Sequence, residues 1–166
     1  MKTPRSPWLA LALVVILLAG AAVDDALAKK PKSRLSAFVN SKKLKASKRG
    51  LTGVYATTSF SIGGASKPKR RLVRSVTATC GAVDIKTATL PVTLSCFGSY
   101  TEAGKSSAFR QWTGLDMTVI VDSRDGNRIG GSFAGVLTDP SSANPTDASA
   151  TVEGGSFSMV LIDIGV

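Results

Sequence analysis

Apolar and hydroxyl-bearing side chains alternate between residues 53 and 62, with Val54, Ala56, Thr58, Phe60 and Ile62 on one side and Tyr55, Thr57, Ser59 and Ser61 on the other. A period of two marks a strand with one buried face, because a helix would scatter the same residues around its axis. The period recurs at Leu90, Val92, Leu94 and Cys96 ahead of a turn near Gly98, and again at Met117, Val119 and Val121. Asp125-Gly126 follows the last of these runs, and glycine accepts the positive φ of a tight hairpin. Ile129, Gly131, Phe133, Gly135 and Leu137 then form the inward side of the returning strand. Asn40-Ser41 is placed as a similar turn between Leu35-Ala37-Val39 and Leu44-Ala46, with serine where glycine would adopt the turn at less cost.

Strands are thus predicted at 35–39, 43–47, 53–62, 71–80, 89–98, 115–122, 129–137 and 155–163, with a short one near 150. Turns recur too closely for crossover helices, so the expected fold is all-β: an antiparallel β-sandwich of about eight strands, preferred over a closed barrel. Gly130-Gly131-Ser132-Phe133 and Gly154-Gly155-Ser156-Phe157 repeat one pattern. Each Gly-Gly is expected to end a turn and each Phe to enter the core, on strands that are adjacent or pseudo-symmetric. Residues 102–114 lack a clear period and read as a long loop flanked by Tyr100, Phe109 and Trp112. Those rings either plug an open end of the core or, exposed, stack on sugar rings.

The amino-terminal stretch follows different rules. Lys2 and Arg5 precede an apolar run from Trp8 to Val23, and Ala26-Leu27-Ala28 offers the small residues of a signal-peptidase site. The run spans 16 residues, where a membrane-crossing helix needs about 20. The expectation is a cleaved signal helix over 1–28, a basic arm over 29–34, and a sandwich domain over 35–166, exported to the periplasm or secreted. Leu18-Ala19-Gly20 is followed by Ala21 where a lipoprotein would need cysteine, so neither a lipid nor a transmembrane anchor is expected on the mature chain.

Export decides the chemistry of the two cysteines. Cys80 and Cys96 are expected to form a disulfide, because paired thiols in an oxidising compartment are seldom left free. A redox pair or activated nucleophile would need C-x-x-C spacing or a histidine, and the chain has neither. The absence of histidine also removes histidine triads and the usual zinc cages. Asp122-Ser123-Arg124-Asp125-Gly126-Asn127 partly resembles a calcium loop, but its spacing and the missing twelfth-position Glu favour a plain hairpin. Neither metal nor cofactor is expected. Asp84, Glu102, Asp116, Asp122 and Glu153 are scattered acids for which spacing indicates no catalytic pair.

Charge is divided sharply along the chain. Residues 29–74 hold 14 Lys/Arg and no Asp/Glu, and residues 75–166 hold 5 Lys/Arg and 9 Asp/Glu. Candidate contacts to an anionic polymer or envelope component are Lys42, Lys43, Lys45, Lys48 and Arg49, with Lys69, Arg70, Arg71 and Arg74 in a second cluster. Such clusters attract polyanions by long-range attraction and counterion release. The alternative is a solvated stretch that keeps the protein soluble. No helix-turn-helix, zinc finger or aromatic RNA-binding signature appears, so sequence-specific reading of nucleic acid is not expected.

Ser36-Ala37-Phe38-Val39-Asn40-Ser41-Lys42-Lys43-Leu44-Lys45-Ala46, Gly131-Ser132-Phe133-Ala134-Gly135-Val136-Leu137 and Ala150-Thr151-Val152-Glu153-Gly154-Gly155-Ser156-Phe157 resemble motifs of an uncharacterised group of bacterial secreted and lipoprotein β-sandwich domains. Members often carry a V-N-G-K hairpin and a G-x-F-x-G-x-L strand. This chain departs from them at Ser41 and in lacking a lipidation cysteine. The resemblance implies a fold and transfers no catalytic residue. The expected function is therefore an exported, non-enzymatic binding module for an anionic polymer. The alternatives are a carbohydrate-binding or envelope-assembly domain using Tyr100, Phe109 and Trp112, and a hydrolase without a recognisable motif.

Overall fold

The computed structural model describes residues 32–68, 72–104, 109–139, 141 and 148–164. The expected signal helix and residues 29–31 of the basic arm, as well as Lys69, Arg70 and Arg71, lie outside the described residues. Among the described residues nine strands follow in order: β1 Arg34–Val39, β2 Lys42–Ala56, β3 Ser59–Ser66, β4 Leu72–Cys80, β5 Val92–Gly104, β6 Arg110–Asp125, β7 Arg128–Thr138, β8 Ser149–Val160 and β9 Ile162–Asp163. Arg34, the last residue of the expected arm, already belongs to β1.

The sandwich expectation is wrong. Strands β1 to β8 pair each with the next, and β1 pairs with both β2 and β8, which closes the sheet into an eight-stranded antiparallel barrel. Closure needs only the β1–β8 ladder, which runs from Arg34 opposite Ser158 to Val39 opposite Val152. In a sandwich those strand edges would end two separate sheets. Here their N–H and C=O groups satisfy each other, and no edge of the ring is left open.

The alternation decides inside from outside. Leu35, Ala37 and Val39 of β1, Val76 and Ala78 of β4, Met117, Val119 and Val121 of β6, and Val152, Phe157 and Met159 of β8 are all buried in the interior. The outer wall carries many Ser and Thr side chains, some joined in cross-strand pairs: Ser36 with Ser156 at 3.2 Å, Ser61 with Thr79 at 3.0 Å, and Ser75 with Thr101. A membrane barrel would show the reverse, with an apolar band outside and a polar lumen. Among the described residues, no helix is long and apolar enough to cross a membrane.

Several element boundaries differ from expectation. The run 53–62 is two strands, because Thr57-Thr58 forms a turn that pairs Tyr55 with Phe60. The turn exchanges the faces, so Tyr55 is inside and Val54 is not. β5 continues through Gly98 to Gly104, which keeps Cys96, Gly98 and Tyr100 on the inner face, and β6 begins at Arg110, so residues 102–104 and 110–114 of the expected loop belong to strands. The Asn40-Ser41 turn forms with φ of 46° and 62°, and Asn40 Oδ1 accepts the Thr151 amide at 2.8 Å. That contact ties the turn to β8. The β6–β7 turn occupies Gly126-Asn127, with Gly126 at φ 55°.

The repeated Gly-Gly-Ser-Phe segments lie on neighbouring strands and pair with each other. Gly131 faces Phe157, Ser132 faces Ser156, and Phe133 faces Gly155. A methyl group on Gly155 would lie 2.7 Å from the Phe133 ring, and one on Gly131 would lie 3.0 Å from Phe157 Cζ. Each glycine therefore makes room for the other copy's phenylalanine. The Gly-Gly steps do not end turns as expected, since both lie within strands, and Gly154 (φ 55°) sits at the register shift of β8.

Cys80 ends β4 and is bonded to Cys96 of β5, with Cα atoms 4.4 Å apart. Their neighbours Thr79 and Phe97 are direct register partners, so the bond joins two facing residues of one ladder. This bond is the expected one, and it belongs to an oxidising compartment. On the chain-entropy model, closing a loop of this length stabilises the fold by about 3 kcal/mol.

Candidate functional site

The connections β1–β2, β3–β4, β5–β6 and β7–β8 all leave from one end of the barrel, here the upper rim. The turns β2–β3, β4–β5 and β6–β7 leave from the lower rim.

The lower rim is closed by the segment after Cys80. Ile85 inserts with no exposed surface, and Arg124 Nη1 fixes the segment by donating to the carbonyls of Ile85 at 2.7 Å and Ala88 at 3.1 Å. Asp84 accepts from Tyr55 Oη at 2.8 Å, the Lys86 amide at 2.9 Å and Thr87 Oγ1 at 3.0 Å. The Tyr55 hydrogen bond, followed by the Lys86 amide, holds the Asp84 carboxyl below its ordinary range. Lys86 lies over the Tyr55 ring at 4.2 Å and pairs with Asp163 of β9. Tyr55, Arg124, Asn127 and Asp163 help line a pocket of about 10 Å³, room for one water molecule and no organic ligand. These contacts describe a plug.

The upper rim carries a polar layer in register with the core. Arg74 on β4 and Glu102 on β5 are direct cross-strand partners, and Arg74 Nε donates to Glu102 Oε1 at 2.9 Å. The same oxygen accepts Tyr100 Oη at 2.6 Å. Partial burial raises the Glu102 pKa, but the Tyr100 and Arg74 hydrogen bonds and the charges of Arg74 and Lys42 outweigh it, so the net shift is downward. Tyr100 is pushed strongly upward, first by burial and then by Glu102. Trp112 lies against Tyr100 with ring centroids 5.3 Å apart, and Arg110 stacks on Trp112 at 4.6 Å. Asp139 is also buried here and accepts Ser141 Oγ at 2.6 Å and the Ser141 amide at 2.9 Å. Among the described residues, every buried side-chain nitrogen and oxygen has a hydrogen-bond partner.

Of the three aromatic candidates, Tyr100 and Trp112 are 3% and 4% exposed and seal the upper end of the core, while Phe109 is 64% exposed. The fold therefore does not gather the three rings into one exposed platform. The basic candidates divide differently. Arg74 is paired with Glu102, whereas Lys42, Lys43, Lys45, Lys48 and Arg49 are all exposed along β2. Among the described residues no carboxylate forms an ion pair with any of these five.

Local geometry explains the exposure of the β2 cations. Lys43 and Lys45 occupy outward positions flanking buried Leu44. Ala46 pairs with Ser66 and Leu51 with Gly64, so Ser47, Lys48, Arg49 and Gly50 form an outward bulge on β2. Ser47 Oγ accepts the Gly50 amide at 3.2 Å and fixes that bulge. Beside this row, Phe38 of β1 is directly opposite Lys43 and is 43% exposed, with Lys43 Nζ 5.9 Å from its ring centroid. Sequence reading placed Phe38 only within a hairpin motif; its outward parity relative to buried Ala37 and Val39 was the available signal. The Arg74–Glu102–Tyr100 group was missed because its members meet only through the β4–β5 register.

Among the described residues, no three acidic or cysteine side chains converge as a metal site. Asp122 to Asn127 form the end of β6 and its hairpin turn, with Asp122 bonded to Ser123 Oγ at 2.9 Å. Comparison with family models, with curated proteins and with solved structures gives no match.

Proposed function

We propose that this protein is an exported, non-enzymatic binding module that holds an anionic polymer along the outer face of β2. One observation carries the reading: five cations lie on a single strand, all exposed, with no ion pair to a carboxylate among the described residues. Like charges gathered on one strand, with Lys43, Lys45, Lys48 and Arg49 on its outer side and Lys42 at the rim, repel one another, and a polyanion relieves that repulsion while releasing its own counterions. The disulfide supports export, and the signal pattern ending at Ala28 supports periplasmic or secreted delivery. The interior is filled by side chains, so the outer wall is the surface on which a polymer can lie. Glu102, the acid nearest the rim aromatics, is engaged by Tyr100 and Arg74, an arrangement that suits a structural clamp.

Salt-dependent retention on immobilised heparin tests this reading. The mature protein is expected to elute above physiological salt, and a variant with Lys42, Lys43, Lys45, Lys48 and Arg49 changed to Gln is expected to elute well below it. Deleting residues 29–33 is expected to cost less than neutralising β2. Equal elution of the β2 variant and the parent protein would overturn the proposal.

A further inference from the structure

We infer that the polymer held by β2 is a single-stranded nucleic acid, bound without regard to sequence, with Phe38 as the platform for one base. The inference rests on the proposed polyanion reading and adds a ligand class to it. Three features carry it.

The first is shape. The cations follow one strand: Lys42 to Ala46 spans about 13 Å at roughly 3.3 Å per residue, and Lys48 and Arg49 stand on the bulge just beyond. Glu153 of β8 is the register partner of Phe38 and is exposed on the side away from Lys43. A flat anionic surface would meet that carboxylate together with the lysines. A thin, flexible strand can follow the lysines and avoid it.

The second is spacing. Lys43 and Lys45 are alternate residues on one strand face, about 6.8 Å apart. An extended nucleic-acid strand, with one phosphate per nucleotide, can place successive charges against successive lysines. The bulge that exposes Lys48 and Arg49 extends the same track.

The third is Phe38 itself. Its ring lies against the β8 bulge, with Cδ2 3.7 Å from the position a Gly154 methyl would occupy, and Lys43 stands beside it. An exposed aromatic ring beside a row of cations on a sheet is the arrangement that sequence-tolerant single-strand binders use for stacking, and here the cations lie on the β2 side of Phe38 with Glu153 on the other. Sugar rings would also need hydroxyl-reading partners, and the nearest hydroxyl on the same strand, Ser36, is already bonded to Ser156. A base face needs only the ring.

The test uses the mature full-length protein and three labelled probes of equal charge: an eight-nucleotide oligothymidylate without terminal phosphates, an abasic phosphodiester of the same length, and a polyuronate heptamer. Fluorescence anisotropy is measured over a range of salt concentrations. Oligothymidylate is expected to bind about tenfold tighter than the abasic probe. Phe38→Ala is expected to abolish that difference, and Phe38→Trp to preserve it. Lys43→Gln with Lys45→Gln is expected to weaken all three probes and reduce the slope of log K against log salt by about 1.4, or about 0.7 for each phosphate no longer neutralised. Equal binding of the oligothymidylate and abasic probes, or a difference that survives Phe38→Ala, would overturn the nucleic-acid inference alone. Binding of none of the probes, or no effect of the lysine changes on any of them, would overturn the polyanion reading beneath it as well.

Discussion

β2 and β6 are the two longest strands, 15 and 16 residues, and they lie four places apart in the eight-membered ring, on opposite sides of the barrel. Both alternate, both contain an irregularity in register, and both bury large side chains, Leu44 and Tyr55 on one and Met117, Val119 and Val121 on the other. Their outer rows are opposite in character. β2 shows Lys43, Lys45, Lys48 and Arg49, whereas β6 shows Asp116, Asp122 and Asp125 with Leu115 and Ile120. Arg124, a cation exposed on β6, is occupied in holding the β4–β5 segment. The barrel thus fixes the inner row by packing and leaves the outer row free, so charge on the wall is evidence about partners and not about folding.

Core substitutions offer the most severe test of that separation. Leu44→Ala on β2 and Val119→Ala on β6 remove buried methyl groups from the same interior, and both variants are expected to lose stability, about 2–5 kcal/mol for the leucine and somewhat less for the valine. Urea denaturation measures the loss, and heparin elution of the folded fraction should stay unchanged for both. If Leu44→Ala alone altered elution, the inner and outer rows would not be independent.

Next in size is the disulfide, which lies between the two strands in the ring and should serve both equally. Replacing Cys80 and Cys96 with Ser is expected to cost about 3 kcal/mol in denaturant without moving heparin elution.

Reversing surface charge should separate the two faces in function while leaving them alike in stability. Lys43→Glu with Lys45→Glu is expected to abolish retention on heparin, and Asp116→Asn with Asp122→Asn to leave it unchanged or slightly stronger. Stability should move by no more than about 0.5 kcal/mol in either variant. A gain in retention from the aspartate pair that matches, charge for charge, the loss from the lysine pair would mean that net charge, not the β2 track, governs binding.

The smallest expected effect is at the upper rim. The Glu102 pKa is lowered in the folded state, so its pairing with Tyr100 and Arg74 stabilises the fold above the unfolded value of about 4.3 and is lost as pH falls through the lower folded value. Glu102 is partly exposed, which limits the effect to about 1 kcal/mol. Glu102→Gln should remove that portion of the acid sensitivity, seen as a flatter dependence of melting temperature on pH below about 4.3.

The inner row was well marked in the sequence. Met117, Val119 and Val121 and the run from Ile129 to Leu137 could be assigned to the inside because their period is two, and the Cys80–Cys96 bond followed from there being one pair. Closure was not legible, because the same alternation serves a sandwich and a barrel, and the deciding β1–β8 ladder joins residues more than a hundred positions apart. The turns at Asn40-Ser41 and Asp125-Gly126 were legible, whereas the Thr57-Thr58 turn was hidden inside the alternating run 53–62, because a tight turn between two inward-facing stretches preserves the look of one strand. The repeated segments were legible as core phenylalanines on neighbouring strands, but the facing of each glycine with the other copy's phenylalanine, small beside large as a narrow barrel requires, shows only in the β7–β8 register. Among site residues, the β2 cations were found by charge alone. Their exposure in one row, and the place of Phe38 beside them, needed the register.

Where the ligand lies is decided most sharply by the salt dependence of polyanion binding in two variants of equal net charge change, one neutralised at Lys43 and Lys45 and the other at Arg124 and Arg128. The β2 variant should lose affinity with a shallower salt slope, while the other binds as the parent protein does. The same loss in both, or a loss only in the second, would contradict the claim that the outer face of β2 is where this barrel meets its ligand.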